Sequence, residues 1–359
     1  MGMLPGIGRV VRSRTNCFLE NHSYQNLIKI LPEKGHEVMG VIGVFHKNNP
    51  ELRQIMRKMK IPVVNVASFN PPEWCSNMIM DNRAIGRMAA QHLADLGHPH
   101  FGYCGLGNFP LSQEREKGFR EGLKEYFGKE ITLHQPEETQ SRRQFLGSLP
   151  RPTALFCASD LRARRMANTA LSMGLQIPDE LALLGVDNDP YECELSRVPL
   201  SSVAIDLERM GEQAADLMVD IALADGTPAI KTIQVPPRRV VRRLSSNHFN
   251  VDDELVRDAL RLIRSEREYP WRVSELASVL GVSRRKLELR FQSAGQGTIF
   301  GAIHDARMDR ARELLENTSL KIADIGTRIG ISDAKRFAAL FREKFHCTPM
   351  QFKKQVGGS

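Results

Sequence analysis

The chain has 359 residues, 42% of them hydrophobic, and 50 lysines and arginines against 42 aspartates and glutamates, a formal charge of +8. That length and apolar content suit two or three domains with buried cores and exclude a disordered or fibrous chain. The longest apolar run, residues 38–45, falls far short of the roughly 18 residues that cross a bilayer, and residues 1–20 lack an apolar stretch before a small-residue cleavage site. A cytoplasmic protein with no membrane partner is therefore expected. Six cysteines, at 17, 75, 104, 157, 193 and 347, form no C-x-x-C pair and have no histidine cluster nearby, which predicts reduced thiols with no disulfide framework, metal or cofactor.

From residue 38 to about 205, short apolar runs alternate with longer amphipathic segments, the pattern of strands and crossover helices over a parallel sheet. Strands are predicted at 38–45, 62–67, 101–104, 154–158 and 181–186, with a further crossing segment at 201–205 and a last strand at 233–241 broken by Pro236 and Pro237. Helices are predicted at 82–96, 114–127, 162–173 and 207–223. The first places Ile85, Met88, Ala89, His92, Leu93 and Leu96 at helical spacing and stops at Gly97. Ser245, Ser246 and Asn247 then read as polar linker, and beyond residue 252 every periodic segment is helical. The predicted organisation is an α/β domain at 1–244, a linker at 245–256 and an all-α domain at 257–359.

The last of these holds the whole charge surplus, with 20 lysines and arginines against 12 aspartates and glutamates. A near-neutral body with a basic module fits a chain of which one part meets polyanion. Within that module Val273, Leu276, Leu280, Gly281, Val282 and Ser283 recur 49 residues later as Ile322, Ile325, Ile329, Gly330, Ile331 and Ser332. Leu287 and Phe291 match Phe337 and Phe341 at an offset of 50. Each copy reads as helix, glycine turn, apolar plug, capping serine and second helix, which is a helix-turn-helix. The apolar positions of each second helix face its partner, and the rest are outward and basic. The predicted DNA-facing set is Ser283, Arg284, Arg285, Lys286 and Arg290 in the first copy and Asp333, Lys335, Arg336 and Arg342 in the second. Helical hairpins packed on one another for architecture alone are the competing reading.

The stretch 273–352, with Val282-Ser283-Arg284-Arg285, Arg307, Ala311-Arg312-Glu313-Leu314-Leu315, Ile322-Ala323-Asp324-Ile325, Phe337 and Phe345 through Thr348-Pro349, resembles the DNA-binding module of the AraC/XylS regulators. The resemblance implies a long helix near 300–315 between two subdomains that read successive major-groove segments of double-stranded promoter DNA. His346-Cys347, where a glycine often precedes Thr-Pro, and Gly326, where alanine is common, depart from that pattern.

In the larger part, Asp81-Asn82, Leu96-Gly97-His98, Ser112 through Arg115, Gly118-Phe119, Ala158-Ser159-Asp160 and Gly185-Val186-Asp187-Asn188 resemble, in order, the two-lobed sugar-sensing core of LacI-type regulators, which is like that of the periplasmic sugar-binding proteins. By spacing alone Arg115 reads as a surface partner of Glu114 or Glu116, and Asp160 as the N-cap of the helix after it. The resemblance instead implies that Arg115, Asp160 and Asp187 contact a monosaccharide effector, a pentose with xylose the leading candidate. It also implies a homodimer, with RNA polymerase as a candidate partner. Relatives begin with a strand and helix, where residues 1–14 offer glycine- and arginine-rich sequence, so the first strand and helix of the first lobe are expected to be missing. Two alternatives remain: a DNA-binding regulator whose α/β domain binds no sugar, and an α/β enzyme fused to a DNA-binding domain. The sequence lacks G-x-S-x-G, G-x-x-x-x-G-K-[ST] and H-E-x-x-H, so no catalytic residue is predicted.

Overall fold

The computed structural model describes residues 2–45, 50–66, 71–137, 139–224, 229–246, 253–264, 271–294, 297–318 and 320–357. Residues 1–247 and 248–359 form two separate compact units. The predicted strand end at Ala67 and part of the predicted linker, 247–252, lie outside the described residues.

The first unit has two lobes. The first lobe holds α1 (Leu4–Arg14), α2 (Tyr24–Lys34), β1 (Val41–Gly43), α3 (Pro50–Met59), β2 (Val63–Asn65) and β3 (Ser76–Met80). The second holds α4 (Asn82–Ala94), β4 (His100–Cys104), α5 (Pro110–Phe127), β5 (Leu133–His134), α6 (Arg142–Ser148), β6 (Thr153–Cys157), α7 (Asp160–Ser172), β7 (Leu181–Asp187), α8 (Pro190–Glu194) and β8 (Ser201–Ala204). The chain returns to the first lobe for α9 (Leu207–Leu223) and β9 (Thr232–Val235), then crosses back to β10 (Arg239–Val241). Sheet order is β1-β2-β3-β9 in the first lobe and β10-β8-β7-β6-β4-β5 in the second, parallel except for β10 against β8. Three crossings between lobes, two leading to helices and one through Pro236-Pro237, make a connection suited to hinge motion.

Strands β6 and β7 are buried along nearly their whole length, as parallel strands covered on both faces must be. Ala154, Phe156, Ala182 and Leu184 pack under α4 and α5, whereas Leu155, Cys157, Leu181 and Leu183 pack under α6 and α7. The alternation of the pleat divides one run of hydrophobic residues between two cores.

Three expectations are corrected. Residues 4–14 form α1, where the sequence predicts that the first helix of the first lobe is missing. A β-carbon on Gly6 would lie 2.1 Å from the Glu208 carbonyl oxygen, and one on Gly211 2.2 Å from that of Met3, so the glycines let α1 press backbone to backbone on α9. Arg14 pairs with Asp216 and Asp220 at 2.7 and 2.9 Å, and Arg9 with Glu208 and Glu212, which fixes the rotation of that crossing. The predicted strand at 233–241 is two strands in different sheets. Pro236 and Pro237, without amide protons, fall in the gap that pairs with neither. Ser245 and Ser246 are not linker but buried parts of the first unit, and Val256 is buried in the second, so the predicted linker of 245–256 is too long.

Among the described residues the second unit is helical: α10 (Glu254–Arg264), α11 (Val273–Val279), α12 (Arg284–Ser293), α13 (Ile299–Asn317), α14 (Ile322–Arg328), α15 (Ala334–Phe345) and α16 (Pro349–Gly357). It has two cores. Leu276, Leu287, Phe291 and Trp271 fill the first; Ile325, Ile329, Phe337 and Phe341 fill the second. The two meet along α13, which gives Ile299, Ile303 and Ala306 to one and Met308, Ala311, Leu314 and Leu315 to the other.

Candidate functional site

In an open parallel sheet the point where strand order reverses leaves a crevice at the carboxyl ends of the strands. In the second lobe that reversal lies between β4 and β6, because β5 follows β4 on one side and β6 returns on the other. Arg115 of α5 occupies this point and is 4% exposed. Its Nη1 donates to the carbonyl of Ala158, just past β6, and its Nε donates to Asn82 Oδ1 at 2.9 Å, at the start of α4. Its Nη2 lies 3.9 Å from Asp187 Oδ1 at the end of β7. One forked guanidinium thus joins chain that leaves three strands, a geometry that a lysine's single ammonium cannot reproduce. Burial lowers the Arg115 pKa from its ordinary value, and the nearby Asp187 charge opposes that shift.

Asp187 and Asn188 both have positive φ, +105° and +52°, so backbone strain is concentrated beside the arginine. Burial pushes the Asp187 carboxyl up to about 6; Arg115 pulls it down, and Asp189 raises it further. Arg115 and Asp187 therefore sit together. Asn82, part of the motif order but not of the predicted effector set, is a buried amide whose partner lies 33 residues away.

Asp160 takes a different place. It is fully buried, its Oδ2 accepts from the Asp189 amide at 2.8 Å, and the Cys193 thiol lies 3.6 Å from the same oxygen. Through Oδ2 its carboxylate props the loop after β7 from beneath. It does not cap α7, because Ser159 does that, accepting from the Arg162 amide at 3.3 Å.

Burial, opposed by hydrogen bonds from Ser202 and the Asp189 amide, pushes the Asp160 carboxyl up to about 7. An aspartate in the unfolded chain titrates near 4. Across the window from about 4 to 7 the folded protein holds a proton that the unfolded chain has released, so stability falls as pH rises. In urea titrations Asp160→Asn, uncharged and similar in shape, is expected to flatten this slope. A wild-type slope of zero or of opposite sign would contradict it.

A cavity of about 660 Å³ lies elsewhere, lined by Arg87, His92, Glu125, Tyr126 and Arg242 among others, and includes none of the predicted effector residues.

In the second unit both predicted turns are present. Gly281 and Gly330 have φ of +66° and +73°, a conformation that glycine adopts without strain. The Val282 amide donates to the Ala277 carbonyl at 3.0 Å, and the Ile331 amide to that of Gly326 at 2.8 Å. Ser283 caps α12, accepting from the Lys286 amide at 3.2 Å. In the second copy Asp333, not Ser332, is the cap, accepting from the amides of Lys335 and Arg336 at 2.9 and 3.2 Å. The shift in repeat offset from 49 to 50 residues falls at this extra serine.

The basic residues then divide. Arg284 pairs with Glu288 on its own helix at 2.8 Å, and Arg290 is held by Asp253, just before α10. Arg290 thereby braces α12 against α10 while staying half exposed. Arg285, Lys286, Lys335, Arg336 and Arg342 are exposed and, among the described residues, have no carboxylate partner. Leu289, 55% exposed, lines a depression of about 320 Å³ with Ser283, Arg285, Lys286 and Arg290. It was missed because an exposed leucine reads as core in a periodic pattern; an apolar side chain there suits a thymine methyl group. His346, at the end of α15, holds φ of +59° where glycine would be unstrained. His346→Gly is expected to raise stability by about 1 kcal/mol, measured by urea unfolding, and a decrease would show that the imidazole makes a compensating contact.

A family model described as a periplasmic binding protein-like domain matches residues 90–246, and a helix-turn-helix domain matches residues 276–355. The xylose operon regulatory protein of Escherichia coli strain K12 is 28% identical over 98% of this chain and 93% of its own length. The chain is a two-domain transcriptional regulator. The corresponding protein of Haemophilus influenzae is 29% identical to this regulator over 88% of this chain and 84% of its own length. Among solved structures, that of a xylose-binding transcription activator matches with a TM-score of 0.60 at 27% identity, covering 98% of this chain and 93% of the other. A cellobiose complex of the transcriptional regulator CelR matches at 0.54 and 26% identity over 68% and 78%. These likenesses place a periplasmic binding protein-like domain before a helix-turn-helix domain in this regulator.

Proposed function

We propose that this regulator binds a monosaccharide, xylose by the likeness of its relatives, in the crevice at Arg115, Asn82 and Asp187, and thereby controls a sugar-utilisation operon. The observation that carries the reading is Arg115 at the switch point, with donors and acceptors from three strand ends converging on a recessed carboxylate. A neutral polyol needs such rigid groups that give and take several hydrogen bonds at once. A sugar that touches both lobes favours the closed form of the hinge. In a homodimer, closure alters how the paired DNA-binding modules are presented and so how many half-sites are held together. The protein acts in the cytoplasm, with RNA polymerase as a candidate partner and no catalytic role. Its sensor spans 1–244 extended through Ser246, and its DNA-binding domain spans 257–359 extended back to α10.

Arg285, Lys286 and Leu289 of α12 and Lys335 and Arg336 of α15 face bases, with Ser283 and Asp333 setting the helix starts and Arg284 and Arg342 meeting phosphate. Two measurements test the whole. Xylose at millimolar concentration is expected to raise the melting midpoint of the full-length protein by mass action; no shift with any of a panel of monosaccharides would overturn the sensor reading. On duplexes selected by the protein from a random library, Arg285→Ala is expected to relax preference at particular base pairs by about 1–3 kcal/mol, whereas Arg342→Ala weakens all sequences alike and shallows the salt dependence. An even loss in both variants would remove the base-reading assignment.

A further inference from the structure

The segment that ends the first unit, residues 243–246, is bonded to the effector crevice by two routes. The Arg243 guanidinium donates to Asn188 Oδ1 at 2.9 Å and to the Leu200 carbonyl at 2.8 Å. Asn188 directly follows Asp187, and both residues have positive φ, so Arg243 grips the strained loop that carries the crevice carboxylate. Ser245 reinforces this route. Its Oγ donates to the Leu183 carbonyl on β7 at 2.7 Å and accepts from the Ser201 amide on β8 at 2.8 Å.

The second route runs along α4. Ser246 Oγ lies 2.7 Å from His92 Nε2 near the end of that helix, and Asn82 at its start accepts from Arg115. His92 is buried beside Arg242, and burial pushes its ring down to about 3, so the contact is a neutral hydrogen bond that does not titrate at physiological pH. Ser245 and Ser246 are 0% and 1% exposed. A chain that merely left a domain would not need to bury two hydroxyls and pin an arginine fork, each of which orders side chains at an entropic cost.

We propose that residues 243–246 carry sugar occupancy to the DNA-binding module, with Arg243 and Ser246 as positioning residues that couple the effector loop and α4 to the exit of the sensor. The proposal rests on the sugar-sensor reading above. Breaking a buried hydrogen bond leaves its donor and acceptor desolvated and unpaired, which is unfavourable. A displacement of the 187–189 loop or of α4 on sugar binding is therefore passed to residue 246 more cheaply than it is absorbed. A ligand shifts an equilibrium only through differential contacts with its two states. Here the contacts that differ at the crevice and those that hold the exit share the same loop and the same helix.

The test uses the full-length protein, xylose, and duplex DNA selected by the protein from a random library. Xylose affinity is read by calorimetry, and DNA affinity is read with and without saturating xylose. In Arg243→Met, Asn188→Gly and Ser246→Ala, xylose affinity is expected to stay within threefold of wild type while the ratio of the two DNA affinities falls to within about twofold of one. Arg243→Met removes the bond to Asn188 together with that to Leu200, so adding Asn188→Gly to it is expected to lose no further coupling. Asn188→Gly keeps the positive φ accessible, and Ser246→Ala is isosteric, so two of the three variants retain the fold even if loss of the arginine does not. A wild-type ratio that survives in Asn188→Gly and Ser246→Ala overturns the proposal. So does a ratio lost only together with sugar binding. If wild type binds no monosaccharide, the sensor reading itself fails, which is a distinct result.

Discussion

Arg115→Met is expected to weaken xylose binding by at least 100-fold, or about 3 kcal/mol, in calorimetric titration, while DNA affinity without sugar stays within twofold of wild type. The substitution keeps most of the buried stem and removes the fork. Asn82 Oδ1 and the Ala158 carbonyl then lose their donor, and Asp187 loses the cation that opposes its desolvation. The carboxyl of Asp187 rises further from its ordinary value and ceases to be a fixed acceptor near neutrality. Asp187→Ala is expected to have the same functional result by removing the other member of the pair. Retained tight binding in Arg115→Met would show that the sugar sits elsewhere, and the cavity between α4, α5 and β10 would become the next place to look.

Phe341→Ala is expected to destabilise the second helix-turn-helix by about 3–5 kcal/mol, the range for emptying a well-packed aromatic site. Phe341 is fully buried, with its ring 5.9, 4.6 and 5.6 Å from those of Phe337, Phe345 and Phe352. Because the first core shares none of these residues, the loss is expected to be local. Hydrogen exchange should quicken in α14–α16 and remain slow in α11 and α12. Affinity for a full-length DNA site should then fall towards that for a half-site. Uniform exchange throughout the second unit would mean that its two cores fold as one.

Where the sequence was informative, it was because a short-range rule applied. The glycine turns at 281 and 330, the capping serine at 283 and the apolar pairs Leu287–Phe291 and Phe337–Phe341 each follow from spacing within one hairpin, and each is found. Where it misled, the deciding partner was distant. The glycine-rich start reads as lacking a helix until α9 is brought against Gly6; Pro236-Pro237 reads as a flaw in one strand until the two halves are seen in different sheets. The crevice shows the same division. Arg115 and Asp187 stand out by motif order, whereas the hydrogen bond that joins Arg115 to Asn82 spans 33 positions and has no local signature.

The spacing between the two recognition helices is set by a single element. Helix α13 spans 19 residues and supplies one end to each core, so at ~1.5 Å per residue its length of about 28 Å sets the distance between the two. Each residue added to it also rotates the second helix-turn-helix against the first by about 100°. The separation and phase of the DNA elements that this module grips are thus written in helix length rather than in any base-contacting side chain. Lineages that change the spacing of their promoter elements would have to alter this helix by whole turns or abandon one of the two contacts.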